Sequence, residues 1–565
     1  MSYLNSVVRQ LPKNPTKLYL LTVNVLLIIF GVWFSNVGVL PFKNTGDFVF
    51  FVLLVLALGI YRPAWLFLFF IGTLPLEIVN LAPESFGIAV RPYQLFGALS
   101  IVGLIVQYST KRLPFALPKL RWPDALVAVF ALSGIVSALF AVNKGMSFKQ
   151  AIVACSFAAL YFLVRVYVQN WNDLKRVAPF FLSSSIAVVL YGILQNILFA
   201  MGRNSFEVMP GRPNGTFSEA DWFGIFLVFV LAAIYAINYK FQIANYKQIS
   251  ISKYKITNDS GFDFLKFDFW VLFGIRLLFF VILLTALILT VSRSAWLGAI
   301  LVTLPFLKLT ALRRCHPELV SGSRSFGQNV LRMMRLSKWD WRGFGTALAG
   351  IVFSLILSIG IIYVFNLTTF QIGSRAVSTG GMQKITIACE TGKSVSVPTN
   401  ISSVEELSQY GCRHINLEDI SREREAGFEI AEVYRPDPNV GIRAKIYKTS
   451  WEQIRQHSIF GIGWGSIGDI LGRDERGAAL NASNIFLETW LGAGILGFLS
   501  LTILLGYLLL GSISNYIKGE QKTSIFILLA TIAIIVPNLF NSGIFLGFLW
   551  AYLGAAVSLM QSNKE

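Results

Sequence analysis

Ionisable side chains are costly inside an apolar chain, so the places where they gather point to chemistry. Here they gather at the ends of apolar runs, on one side. Glu77 closes one run and Arg91 precedes the next. Arg212, Glu219 and Asp221 sit in Pro210-Gly-Arg-Pro-Asn-Gly-Thr-Phe-Ser-Glu-Ala-Asp, and Arg293 in Val291-Ser-Arg-Ser-Ala-Trp-Leu-Gly, between two runs with almost no loop. Asn484 and Glu488 are four apart and share one helix face. A single arginine of this kind is an interfacial anchor. Three of them with carboxylates at one level suit a lipid diphosphate, because guanidinium groups bind phosphate oxygens bidentately and keep their charge in a poorly hydrated site. The carboxylates either activate a hydroxyl as general bases or neutralise and orient the arginines.

The elements that must position these residues follow from composition. The 565-residue chain is 55% hydrophobic and 14% charged, with a mean hydropathy of +0.62. Apolar runs of the length a hydrocarbon core demands recur along it. They cover 18–34, 47–61, 64–80, 92–109, 124–142, 150–168, 178–201, 221–239, 270–291, 294–309, 344–366, 484–510, 524–541 and 544–560. The expected fold is an all-α polytopic membrane protein of about 12–14 transmembrane helices with one large periplasmic loop. The first run follows Arg9, Lys13 and Lys17 but lacks a small-residue cleavage site, so it is expected to stay as a first helix. With the N-terminus inside, roughly 26 basic residues fall in inner loops against about 7 in short outer loops. The net charge of +18 is therefore topological, and nucleic acid is not an expected partner. Arg165 and Arg276, near inner helix ends, are expected to snorkel to the interface.

The predicted organisation is helices 1–11 over 1–366, a large outer loop over 367–482, and helices 12–14 over 483–565. Cys389 and Cys412 are the two cysteines of the loop. They are read either as a disulfide closing a small subdomain (384–415) in an oxidising compartment or as two unpaired thiols. Cys155 lies mid-helix and Cys315 in an inner connector, and no Cys/His spacing resembles a metal site. Within the loop, Gly441 to His457 has the pattern of a basic amphipathic helix with Tyr447 and Trp451 on its apolar flank. Such a helix is expected to lie on the outer membrane surface and wall the arginine cluster.

Four segments, in this order, resemble the O-antigen ligase and Wzy polymerase family of bacterial membrane glycosyltransferases. They are Arg212-Pro-Asn-Gly-Thr-Phe-Ser-Glu-Ala-Asp-Trp-Phe-Gly, Ser292-Arg-Ser-Ala-Trp-Leu-Gly, Ile454-Arg-Gln-His-Ser-Ile-Phe-Gly-Ile-Gly-Trp-Gly and Asn484-Ile-Phe-Leu-Glu-Thr-Trp-Leu-Gly-Ala-Gly. The resemblance implies transfer of a glycan from undecaprenyl diphosphate to an acceptor hydroxyl, without metal or other cofactor, at the periplasmic face of the inner membrane. By it, Arg212 and Arg293 hold the donor diphosphate and stabilise the charge that develops on it; Arg91, Ser483 and Asn484 are expected, from their placement, as further substrate-binding residues.

One position departs from the pattern. Ligases of this family carry a histidine, their catalytic base, immediately before the asparagine that opens the helix after the loop. Here that residue is Ser483, far too weak a base near neutral pH. Glu488, one turn along the same helix face, is the first candidate to take the proton, and His457 the second; the alternatives are a helix-terminal carboxylate paired to an arginine and a surface histidine. His414 and His316 are not expected to take part. Expected partners are a lipid-linked glycan, an acceptor lipid, glycan or protein, and membrane lipids. The rival within the class is a polymerase, whose acceptor is a second lipid-linked repeat. Outside it stand a flippase or transporter for the same lipid-linked glycan, and an outer-surface receptor using the loop as a binding module.

Overall fold

Each of the fourteen apolar runs overlaps a helix within the described residues of the computed structural model, which describes residues 14–37, 39, 42–113, 115–207, 211–252, 277–313, 338–339, 341–367, 382–390, 397–415, 420–436, 438–473, 479–518 and 521–562; positions 270–276 of the ninth run lie outside them. Before the loop these helices are α1 (Asn14–Asn36), α2 (Thr45–Tyr61), α3 (Pro63–Thr73), α4 (Pro92–Ser109), α5 (Trp122–Phe140), α6 (Lys144–Tyr167), α7 (Trp171–Ala200), α8 (Ala220–Ser252), α9 (Leu277–Leu289), α10 (Arg293–Ala311) and α11 (Trp341–Val364). A two-stranded ribbon, β1 (Leu312–Arg313) with β2 (Lys338–Trp339), joins the last two. Eight helices among the described residues are long and apolar enough to cross a membrane. The chain is an all-α polytopic membrane protein. Arg276, Cys315 and His316 lie outside the described residues.

After the loop come α15 (Ile485–Ile517), α16 (Gln521–Asn538) and α17 (Gly547–Ser562). α17 is the central post, with every residue from Gly547 to Gln561 buried. It packs against α6, α15 and α16. Gly554 allows the α6 contact, since a Cβ there would meet the Tyr161 carbonyl at 2.6 Å.

Two local expectations are corrected. The run 64–80 is helical only to Thr73: Pro75 has no N–H to continue the ladder, and Leu76 N–H instead donates to the Thr73 carbonyl at 2.9 Å. Glu77 thus stands in the connection beyond α3. Arg165 does not snorkel. It is 3% exposed and grips Asp124 with two bonds, Nε to Oδ1 at 2.8 Å and Nη2 to Oδ2 at 3.0 Å. Its remaining donors reach Ser558 Oγ (2.9 Å) and Gln561 Oε1 (2.7 Å) on α17. A buried guanidinium is tolerated when its charge and donors are met in this way.

α15 is broken at Gly494, whose φ of 67° and ψ of −171° leave the helical region. The groups freed by the break are taken up by the chain that returns from the loop. Ile462 N–H donates to the Leu491 carbonyl (2.7 Å), and Ile495 N–H donates to the Ser458 and Ile459 carbonyls (3.2 Å each). Trp490 Nε1 also donates to the Ser458 carbonyl at 3.0 Å. A Cβ on Gly494 would lie 2.1 Å from the Ile459 carbonyl oxygen, so only glycine admits this approach. Irregular backbone at such depth needs partners from within the protein, and here it has them.

Residues 368–451 form a separate compact unit, while 452–565 belong with the helices. The unit contains an antiparallel sheet in the order β4 (Cys412–Ile415), β3 (Met382–Cys389), β5 (Glu429–Pro436). Two helices accompany it: α12 (Ile420–Glu425), and α13 (Pro438–Gln456), which runs on into the helical unit. A short α14 (Ile467–Leu471) follows. Ile385, Ile387, Ile401, Leu407, Cys412 and Val433 make the core of the sheet unit. His414 lies on β4 opposite Ile387. Cys389 and Cys412 are register partners and form a disulfide with a sequence separation of 23. Closing a loop of that length is worth about 3 kcal/mol through the unfolded chain, a large share of what so small a core supplies. Cys389→Ser is therefore expected to make 368–451 protease-sensitive in intact membranes while the helices stay protected, as limited proteolysis with tryptic mapping will show.

Candidate functional site

The segment carrying Arg212 is pinned by the end of α7. Gln195 Oε1 accepts from Gly215 N–H (2.7 Å), and Gln195 Nε2 donates to the Phe206 carbonyl (3.1 Å). Held so, Arg212 is 6% exposed. Its Nε donates to the Thr290 carbonyl at 3.1 Å, and its Nη2 pairs with Asp221 Oδ1 at 3.3 Å, at the start of α8. Thr290 begins the turn after α9, three residues before Arg293 opens α10. Val291 between them has φ 50°, costly for a β-branched residue. Arg212 is thus fastened to the same junction that presents Arg293.

The same junction reaches the far end of the chain. Ser294 Oγ accepts from Asn541 Nδ2 at 2.8 Å and lies 3.2 Å from Ser292 Oγ. Asn541 sits in the connection from α16 to α17, and two residues earlier the Leu539 carbonyl accepts from Asn484 Nδ2 at 3.0 Å. Asn484 is also the N-cap of α15: its Oδ1 accepts from Phe486 N–H (2.9 Å) and Leu487 N–H (3.2 Å). One turn on, Glu488 is buried, and its Oε2 accepts from Ala482 N–H at 2.6 Å. This bond ties down the turn in which Ser483 takes a left-handed φ of 50°. Non-glycine residues held in that region cluster where the surroundings over-determine them, commonly at functional sites.

Arg91 belongs to an adjoining cluster. Its Nη1 pairs with Glu77 Oε2 at 3.2 Å and donates to Tyr93 Oη at 3.0 Å; the Tyr93 hydroxyl in turn donates to Glu77 Oε2 at 3.0 Å. Glu77 Oε1 accepts from Gly547 N–H at the start of α17 (2.7 Å). Burial pushes the Glu77 carboxyl above its ordinary value, against the opposing pull of Arg91, the Gly547 N–H and the Tyr93 hydroxyl. The backbone N–H groups of Glu77 and Ile78 both donate to the Thr216 carbonyl, which links this cluster to the segment holding Arg212.

Arg212, the junction that opens on Arg293, and Ser483, Asn484 and Glu488 are therefore linked by polar contacts and the short stretches of chain between them, with Arg91 attached at the edge. His457 stands elsewhere. It is exposed just beyond the end of α13, and the neighbouring Ser458 meets α15 at Ile495, past the break at Gly494 and seven residues beyond Glu488. Thr290, Ser294 and Asn541 escaped the sequence reading. Asparagines at 538 and 541, between two apolar runs, were the available signal for the last. Among the described residues no group of three His, Cys, Asp or Glu is placed to hold a metal ion.

Residues 278–502 match the family model described as O-Antigen ligase. The match takes in Arg293, His457, Ser483, Asn484 and Glu488, and leaves Arg91, Arg212 and Asn541 outside. No curated protein matches the chain. The family match supports a role in surface polysaccharide biosynthesis and a glycan-transferring activity.

Proposed function

On the premise that this chain carries an O-antigen ligase domain, we propose that it transfers a glycan from undecaprenyl diphosphate to an acceptor hydroxyl at the periplasmic face of the inner membrane. The observation that carries the reading is the fastening of Arg212 to the Thr290 carbonyl, which holds its guanidinium beside the junction that opens on Arg293. The held guanidinium of Arg212 and that of Arg293 beside it are suited to a diphosphate. Their attraction grows as the bond from the glycan's anomeric carbon to the diphosphate oxygen breaks and the electron pair stays on that oxygen. The acceptor hydroxyl attacks the same carbon, and its proton passes to Glu488. Asp221 keeps Arg212 oriented, and Arg91, through Glu77 and Thr216, steadies the segment that bears it. Ser483 and Asn484 form the wall next to Glu488. The distribution of basic residues supports a cytoplasmic N-terminus and a periplasmic 368–451 unit, and the disulfide in that unit accords with an oxidising compartment.

Lipid-linked oligosaccharide profiling of a deletion strain tests the reading. A ligase predicts accumulation of full-length polymer on the lipid carrier, and a polymerase predicts accumulation of single repeats. An unchanged profile would refute both.

A further inference from the structure

Ser294 follows Arg293 on the first turn of α10, and its neighbours commit its hydroxyl so that one proton is left over. Gly298, one turn on, brings α10 close against α16: a Cβ there would lie 2.7 Å from Pro537 Cγ. This packing carries Asn541, four residues past Pro537, to Ser294. Asn541 is 9% exposed, and its Nδ2 donates both to the Pro537 carbonyl at 3.1 Å and to Ser294 Oγ at 2.8 Å. A carbonyl can only accept, so the amide nitrogen must face this way and Ser294 Oγ must accept from it.

Ser294 Oγ also lies 3.2 Å from Ser292 Oγ. Two hydroxyls carry two protons, and one contact between them uses one. If Ser294 donated to Ser292, the spare proton would sit on Ser292. That residue is 1% exposed, and its Oγ has no other partner among the described residues. Leaving a buried donor unused is costly. Ser292 therefore donates to Ser294, and the spare proton is the one on Ser294, which is only partly buried. A helical serine often bonds back to the carbonyl one turn earlier. Here that carbonyl, of Thr290, already serves Arg212 Nε.

We propose that Ser294 donates this hydrogen bond to the glycan-side oxygen of the carrier diphosphate, and that Asn541 is the residue that positions it. The role rests on the transfer reaction proposed above. Location supports it as well as the spare proton. Arg293 immediately precedes Ser294, and Arg212 is fastened to the same junction. On the other side the Leu539 carbonyl, two residues before Asn541, holds Asn484 at the start of the helix bearing Glu488. Ser294 thus stands between the arginines and the proton acceptor, the place that the breaking bond must take. As that bond breaks, the electron pair stays on the diphosphate oxygen and the proton stays on Ser294, and the hydrogen bond between them strengthens with the charge. The two donors feeding Ser294 Oγ polarise its hydroxyl in the same sense.

In membranes of the deletion strain complemented with each variant, Ser294→Ala is expected to slow glycan transfer about 30-fold, the usual worth of a hydrogen bond to a charged group. Asn541→Ala is expected to slow it about fivefold, and to cost nothing further in the Ser294→Ala background, because it acts only through that hydroxyl. A merely structural Asn541 would slow both backgrounds alike. Native mass spectrometry of the full-length protein, purified in detergent and titrated with undecaprenyl diphosphate or undecaprenyl phosphate, supplies a readout independent of transfer. The wild type is expected to prefer the diphosphate. Ser294→Ala is expected to lose about tenfold of that preference, with retention of the monophosphate unchanged. Equal retention of the two lipids by the wild type would overturn the diphosphate site itself, and this donor with it. A preference kept in full by Ser294→Ala, undiminished transfer in that variant, or additive losses in the double variant would overturn the assignment of Ser294 and Asn541 alone.

Discussion

Arg293→Ala and Arg212→Ala are each expected to lower glycan transfer in isolated membranes by about 10²–10³-fold, the usual cost of losing a fixed donor at a developing charge. Protein abundance should stay near wild type, which immunoblotting of the same membranes will establish. The two losses differ in origin. Arg293 opens α10, and its removal subtracts a guanidinium from the proposed diphosphate site. Arg212 also holds the Thr290 carbonyl and Asp221, so its removal loosens the junction as well. Arg212→Lys separates the contributions. Lysine restores the charge but not the planar fork that serves a carbonyl, a carboxylate and a phosphate together, so it should recover little activity. Transfer retained in both alanine variants would remove the diphosphate assignment.

Glu488→Gln is the second decisive change, because it separates anchoring from proton transfer. The amide oxygen of glutamine can still accept from Ala482 N–H as Glu488 Oε2 does at 2.6 Å, so the turn holding Ser483 keeps its support. It cannot take a proton from an acceptor hydroxyl. Loss of general-base help costs about 10²–10⁴-fold, and a fall of that size in single-turnover transfer from lipid-linked donor, with abundance unchanged, is the expected result. Glu488→Ala should add instability to the same loss, since it leaves the buried Ala482 N–H without a partner, at about 1–3 kcal/mol. Full activity in Glu488→Gln would return this carboxylate to a purely anchoring role and make His457 the next group to test.

Much of the architecture was legible because membrane spans announce themselves locally. The run 92–109 coincides with α4 (Pro92–Ser109) end to end, and Pro92 marks where it begins. The arginines were legible for the converse reason, that charge in an apolar setting stands out. What was hidden depends on pairing between distant segments. Asp124 and Arg165 are 41 residues apart, and nothing local in either helix announces the other. Asn541 meeting Ser294 spans 247 residues, and both are residue types found at many helix ends. The break in α15 was masked by Leu491-Gly-Ala-Gly-Ile-Leu-Gly, an apolar glycine-containing stretch that suits an unbroken membrane helix equally well. Only the returning Ser458–Ile462 backbone distinguishes the two.

The left-handed backbone at Ser483 bears on which side chains that position can carry. Most side chains resist that conformation, but asparagine, aspartate and histidine enter it more readily than others. A histidine at position 483 therefore suits the φ of 50° found here. Ser483→His would thus set an imidazole on a backbone that already has the required shape, one helical turn from Glu488, without disturbing the Ala482–Glu488 bond that holds the turn.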